Sequence, residues 1–142
     1  MFGKKNRRIA RLLIVEDEPL VAFDTEHFLT EEGITVVATT DSVREAIGHI
    51  GGRKAIDLVL VDLGLRDGDG IDVAHAAKAK GVPALIVTGR RLDEVEAIGL
   101  GCLSKPYPQR DLLRAIKIVE TLLEGKPPRR VPPSLKLFQS VA

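Results

Sequence analysis

Residues 57–70, DLVLVDLGLRDGDG, set the tightest bound on the fold. Leu58, Val59, Leu60 and Val61 lead without a break into Asp62, and a turn rich in glycine and aspartate follows. An apolar run with no polar alternation predicts a strand buried on both faces, and such strands belong to parallel sheets covered by helices. Asp62 then falls at the carboxyl end of a central strand, where open α/β sheets place their ligands.

The rest of the chain repeats this unit. LLIV at 12–15, ITVVA at 34–38, PALIVT at 83–88 and a very short CLS at 102–104 predict the other strands. Pro19 suits the first turn of a helix that Asp17 or Glu18 would cap. Leu20, Phe23, His27, Phe28 and Glu31 then step along at helical spacing until Gly33. Ser42 with Glu45 reads as a capping box, ahead of an inner stripe of Val43, Ala46, Ile47 and Ile50. Residues 71–80 predict an alanine-rich helix, and 92–98 at most a short one. Leu112, Ile116, Val119 and Leu123 mark the last helix. Strand and helix alternate throughout, which implies an α/β fold with a parallel sheet, helices on both faces and right-handed crossovers.

Composition narrows the class. A chain of 142 residues suggests one domain. The net charge of +1, from 21 basic and 20 acidic residues, gives no electrostatic call for nucleic acid. No apolar run is long enough to span a bilayer. The basic start, MFGKKNRRIARLLIV, lacks the long apolar region and cleavage site of a signal peptide. The single cysteine, Cys102, excludes an internal disulfide and fits a reducing compartment, so a cytoplasmic location is expected. Residues 1–9 are expected as a flexible basic tail. Residues 125–142, GKPPRRVPPSLKLFQSVA, are Pro-rich and basic and are expected as an extended or disordered tail. That leaves 10–124 as the folded domain.

The strand ends carry the chemistry. Glu16 and Asp17, Asp62, Thr88 and Lys105 each close a predicted strand, so the fold delivers three acids, a hydroxyl and an ammonium to one edge of the sheet. Singly, each has an ordinary reading: a turn aspartate, a helix cap, a β-forming threonine, a surface lysine. Together they describe a site. Clustered carboxylates repel, and a hard divalent cation with oxygen ligands relieves the repulsion, which points to Mg²⁺. Asp62 can then attack a phosphoryl group as a carboxylate nucleophile. Lys105 would neutralise the phosphoryl oxygens and Thr88 would donate a hydrogen bond to one of them.

LLIVEDEP, LVLVDLGL with its following DG, LIVTG and SKPY, in this order, resemble the receiver domain of bacterial response regulators over residues 10–124. The resemblance implies a flavodoxin-like, doubly wound five-stranded parallel sheet in the order 2-1-3-4-5. It implies Asp62 as phosphoacceptor. Glu16, Asp17, Asp62 and the backbone carbonyl of Gly64 would be the Mg²⁺ ligands. Thr88 would be the switch hydroxyl and Lys105 the phosphate-contacting lysine, with a cis peptide before Pro106. The phosphodonor would be a sensor histidine kinase or a histidine phosphotransfer protein. The chain would be a single-domain regulator, monomer or weak dimer, with an unknown downstream protein, no direct nucleic-acid or membrane contact, and no catalysis beyond its own phosphorylation and dephosphorylation. Its output would be partner binding on the face from Thr88 to Tyr107, or passage of the phosphoryl group onward.

There are departures from the family pattern. Arg66 stands where the loop usually has a proline. Cys102 occupies the position of the switch aromatic and is too small to swing between buried and exposed. The short stretch from Thr88 to Lys105 predicts a stunted fourth helix, and the Pro83-to-Gly89 pattern is similar to stand-alone receivers of alphaproteobacteria. Two other functions compete. An aspartyl phosphatase of the haloacid-dehalogenase kind wants an acid two residues past the nucleophile, where this chain has Gly64. A phosphorylation-independent interaction module has no need of the acid pair, Thr88 or Lys105. His27, His49 and His75 lie on three different predicted helices with no ligand spacing. The run from Asp67 to Gly70 reads as a tight turn, since a calcium loop needs a later glutamate.

Overall fold

The computed structural model describes residues 9–90 and 97–138. In chain order the strands are β1 (Arg11–Val15), β2 (Thr35–Thr40), β3 (Leu58–Asp62), β4 (Gly64–Leu65), β5 (Gly68–Asp69), β6 (Ala84–Thr88), β7 (Gly101–Ser104) and β8 (Leu135–Leu137). The helices are α1 (Pro19–Glu31), α2 (Val43–Ile50), α3 (Gly70–Ala79) and α4 (Gln109–Leu123). The main sheet has the order β2-β1-β3-β6-β7-β8. Its first five strands are parallel, as expected for a flavodoxin-like fold.

Period-two alternation sorts the strand residues onto two faces. Leu12, Ile14, Leu58, Leu60, Leu85, Val87 and Leu103 join one core, shared with α1 and α4. Leu13, Val15, Val59, Val61, Ile86 and Cys102 join the other, shared with α2 and α3. The central strands β1, β3 and β6 are therefore apolar on both faces, which is why their sequences show no alternation. Burying one such aliphatic side chain stabilises by about 1.5–3 kcal/mol, so these central strands hold the most secure positions in the fold. Glu16 and Asp62 sit at the ends of two of them.

The helices follow their stripes with one exception. On α4, Leu112, Ile116 and Val119 are buried as predicted. On α1 the buried residues are Ala22, Thr25 and Leu29, while Leu20 and Phe23 are 78% and 67% exposed. The helix lays its small residues on the sheet and turns the bulky part of its apolar stripe outward, where Phe23 stacks on His27 at 6.3 Å between centroids. On α2, Ala46 and Ile50 face inward and Ile47 is partly exposed. Ser42 caps α2 by accepting from the Glu45 N–H at 3.1 Å, but the Glu45 carboxylate accepts from the Thr40 hydroxyl instead of closing the box.

The carboxyl-terminal segment departs from expectation. Through residue 138 it packs on the domain, and the sheet has a sixth strand. Beyond α4 the chain runs back toward the other end of that helix, where Ser134 donates to Asp111 at 2.8 Å. It then enters β8, which pairs antiparallel with β7, Leu103 against Leu135 and Gly101 against Leu137. The alternating residues of LKL carry it: Leu135 is buried in the α1/α4 core, Lys136 is exposed and Leu137 packs partly. The prolines remove helix as an option but leave an edge strand open. Two expected boundaries move with this. The folded unit extends past residue 124 to at least 138, and it begins no later than Ile9, which is buried and donates its N–H to Glu120. The basic residues 1–8 and most of the expected short fourth helix, 91–96, lie outside the described residues. Ala97 to Leu100 contains no helix.

Candidate functional site

At the carboxyl ends of β1, β3 and β7 the chain turns three acids and one lysine toward one point. Asp62, the last residue of β3, is 8% exposed, and Glu16, directly after β1, is 7% exposed. Asp17 beside it is exposed. Carboxylate oxygens of Glu16, Asp17 and Asp62 all lie within 4.8 Å of one another. The Lys105 Nζ donates to Asp62 Oδ2 at 2.8 Å and stands 3.2 Å from Glu16 Oε1.

The backbone fixes each of these groups. Asp62 Oδ1 accepts from the Gly64 N–H at 3.2 Å, and Glu16 Oε2 accepts from the Glu18 N–H at 3.1 Å. Glu18 thus sits at the start of α1 without capping it by its own side chain. The Lys105 N–H donates to the Thr88 carbonyl at 2.8 Å, and the Lys105–Pro106 peptide is cis, as expected. A short hairpin of β4 and β5 follows Asp62, and Gly70 closes it by donating its N–H to the Leu63 carbonyl. A Cβ built at Gly70 would overlap the carbonyl oxygen of Asp62. Only glycine lets α3 begin this close to the Asp62 peptide.

The electrostatics follow from the crowding. Burial, and then Asp62, push the Glu16 carboxyl up to about 7, against the pull of the Glu18 N–H and Lys105. Burial works against the charge on Lys105, yet Asp62 and Glu16 raise its pKa above the ordinary lysine range. Burial also pushes the Tyr107 phenol up to about 12, with Glu16 adding to the effect and the Thr25 side chain opposing it. One ammonium among three carboxylates leaves excess negative charge on hard oxygen donors. That donor set fits Mg²⁺, with Glu16, Asp17 and Asp62 as the side chains to hold it. Among the described residues this is the one group of three or more side chains of metal-ligating type that converge so closely.

Thr88 stands on the adjacent strand, level with Ser104. It is 2% exposed, and its hydroxyl oxygen accepts from the Arg90 N–H at 2.9 Å. Cys102 is fully buried in the α2/α3 core, and burial pushes its thiol up to about 11, so it behaves as a small apolar residue. Asp67 was expected only as part of a tight turn. Its carboxylate accepts from Ser42 Oγ at 2.9 Å and from the Val43 N–H at 2.6 Å. Those bonds, led by the one from Val43, hold its pKa down to about 2. The loop after Asp62 is thereby pinned to the start of α2. Arg90 adds a second link by approaching Asp69 at 3.6 Å. Both contacts span elements distant in sequence, and the only local signal was the acid-rich composition of the loop.

The comparisons agree with this geometry. A family model for the response regulator receiver domain matches residues 12–117. The sensory transduction protein RegX3 of Mycobacterium tuberculosis is 35% identical over 114 residues, which cover 76% of this chain and 49% of that protein. The chain spans about half the length of most of the curated relatives it matches. A CheY-like receiver domain from Methanospirillum hungatei superposes with a TM-score of 0.72 at 27% identity, covering 82% of this chain and 98% of that one. The receiver domain of the sensor histidine kinase PA1611 from Pseudomonas aeruginosa, solved with magnesium in its active-site cleft, shares the fold. Its TM-score is 0.65 at 22% identity, with coverage of 77% and 95%. With the acid cluster, the lysine and the sheet order in place, this chain belongs to the response regulator receiver family of two-component systems.

Proposed function

We propose that the chain works as a regulator that accepts a phosphoryl group on Asp62 from a phosphohistidine. One Asp62 oxygen attacks phosphorus, the N–P bond breaks, and the imidazole leaves with the electron pair and takes up a proton. Lys105 stays within reach of the phosphoryl oxygens and balances their charge. Glu16, Asp17, Asp62 and the Gly64 carbonyl hold Mg²⁺, which when bound neutralises charge on the transferring group; the magnesium in the PA1611 receiver supports this. The Thr88 hydroxyl leaves the Arg90 N–H and donates to the phosphoryl group. The face from Thr88 to Tyr107 then repacks and changes its affinity for a partner, or the group is passed on to another histidine. The chain catalyses only these events on itself, and it does so in the cytoplasm.

The observation that carries the reading is the 2.8 Å contact of Lys105 Nζ with Asp62 Oδ2 inside the acid cluster. The donor's approach has support as well. Leu20 and Phe23 stand exposed on α1, the helix that starts beside the acid pair, and a cleft of about 440 Å³ runs from Glu18 past Thr25 to Lys105 and Gln109. Incubation with acetyl phosphate and Mg²⁺, followed by intact-mass measurement, tests the proposal. An acid-labile, alkali-labile gain of one phosphoryl group at Asp62 is expected. No uptake, with the fold intact, would point to a phosphorylation-independent module, and many turnovers on a small phosphate ester would point to a phosphatase.

A further inference from the structure

Away from the acid cluster, the returning carboxyl-terminal segment and the outer face of α4 enclose a cleft of about 490 Å³. Its walls are cationic on both sides: Arg114 and Lys117 come from the helix, and Lys126, Arg129 and Arg130 from the segment. No carboxylate lines it, and Ile118 and Pro127 give it an apolar floor. A chain with a net charge of only +1 thus gathers five cations around one hollow.

Two acids of α4 that could face these cations are engaged elsewhere. Asp111 accepts from Ser134, and Glu120 accepts from the Ile9 N–H. Glu124 approaches Lys126 at 3.6 Å, an exposed pair. Among the described residues Arg114, Lys117, Arg129 and Arg130 have no ion-pair partner. Like charges at helical spacing, as for Arg114 and Lys117, repel each other weakly, and an anionic occupant of the cleft would relieve that repulsion.

The second wall is held in place by its backbone. Arg129 and Arg130 lie between two proline pairs, in the sequence PPRRVPP. Arg130 has φ +52°, a left-handed conformation that a non-glycine residue adopts at a cost. Prolines fix φ on either side, and Pro132 is buried. The two guanidinium groups are therefore presented by a stiffened segment, which lowers the ordering entropy of binding.

We propose that this cleft docks an acidic peptide segment of a partner protein, one whose carboxylates flank an apolar anchor residue. Guanidinium groups pair carboxylates in a fork, and the apolar floor suits a side chain rather than a phosphate. No aromatic residue lines the cleft, so the stacking platform that single-stranded nucleic acid uses is missing. The inference does not depend on phosphorylation of Asp62.

Fluorescence anisotropy on the full unphosphorylated chain tests it, with a labelled peptide of alternating glutamate and aspartate carrying spaced leucines. Binding that weakens with added salt is expected. The double variants R129E/R130E and R114E/K117E should each weaken it by about tenfold or more, with circular dichroism and thermal midpoint unchanged. The milder R129Q and K117Q serve if a double variant fails to fold. Replacing the peptide leucines by serine should also weaken binding. The proposal is overturned if the peptide does not bind or the variants leave binding unchanged. It is equally overturned if the leucines make no difference, or if a single-stranded oligonucleotide of matched charge binds more tightly with the same dependence on the variants.

Discussion

Lys105 holds Asp62 from two strands away. The lysine follows β7, the aspartate ends β3, and β6 runs between them, yet Nζ and Oδ2 meet at 2.8 Å. The contact works because both side chains belong to the register that faces α1 and α4, Asp62 after Leu60 and Lys105 after Leu103.

Asp62→Asn should abolish phosphoryl uptake from acetyl phosphate and leave the fold intact, since the change is nearly isosteric. Intact-mass measurement with peptide mapping checks this. Label that persists on the same peptide in the variant would mean the nucleophile is another residue.

Lys105→Ala should slow phosphorylation by more than about tenfold, because a charge aimed at the transferring oxygens is lost. Mg²⁺ binding should largely survive. Without the metal the variant leaves the buried carboxylates of Asp62 and Glu16 without their cation, and stability should fall by about 2 kcal/mol. Chemical denaturation with and without Mg²⁺ separates the two effects.

Glu16 gives a pH dependence with a definite sign. Its pKa of about 7 in the folded protein lies above the 4.5 of an ordinary glutamate. Its stabilising contribution is thus complete below about pH 4.5 and is lost as the pH rises through about 7. In metal-free protein the thermal midpoint should decline over that window. Mg²⁺ displaces the proton, so the increment it adds should be larger at about pH 7.5 than at about pH 5. Scanning calorimetry at both pH values checks this, and Glu16→Gln should flatten both trends.

Gly70→Ala should damage both fold and chemistry. The new methyl overlaps the Asp62 carbonyl, and overpacking of this kind costs about 1–3 kcal/mol. Relief requires β3 or α3 to shift, which moves Asp62. A lower urea midpoint together with slower phosphorylation is expected; loss of stability with an unchanged rate would show that the loop yields instead.

The edge strand should contribute measurably to stability. Leu135→Ala empties a buried position and should cost about 2 kcal/mol. Truncation after residue 125 should cost more, because it also exposes the edge of β7 and invites association. Urea titration and analytical ultracentrifugation check both. A truncated chain as stable and monomeric as the full one would contradict the role given to β8.

The parts of this structure legible in the sequence are those with short-range causes. The central strands announce themselves because both of their faces are buried, so Leu58 to Val61 needs no polar partner. Glu16, Asp17, Asp62 and Lys105 were legible because the topology forces the ends of parallel strands together. Leu20 and Phe23 misled because a stripe at helical spacing does not say which of two faces the sheet takes, and the sheet took Ala22 and Thr25. β8 was hidden because the neighbouring prolines dominate the reading, while its signal is one alternation, Leu-Lys-Leu. The bonds from Asp67 to Ser42 and Val43 join two loops and leave no periodic trace at all.

The reversed direction of β8 settles where the chain departs. Phe138 donates its N–H to the Leu100 carbonyl, just ahead of β7, and Ile9 lies just ahead of β1. Both exits are therefore on the far rim of the sheet, a full strand length from Asp62. A group attached beside Ile9 or Phe138 would sit on the rim opposite Asp62 and leave the acid cluster uncovered.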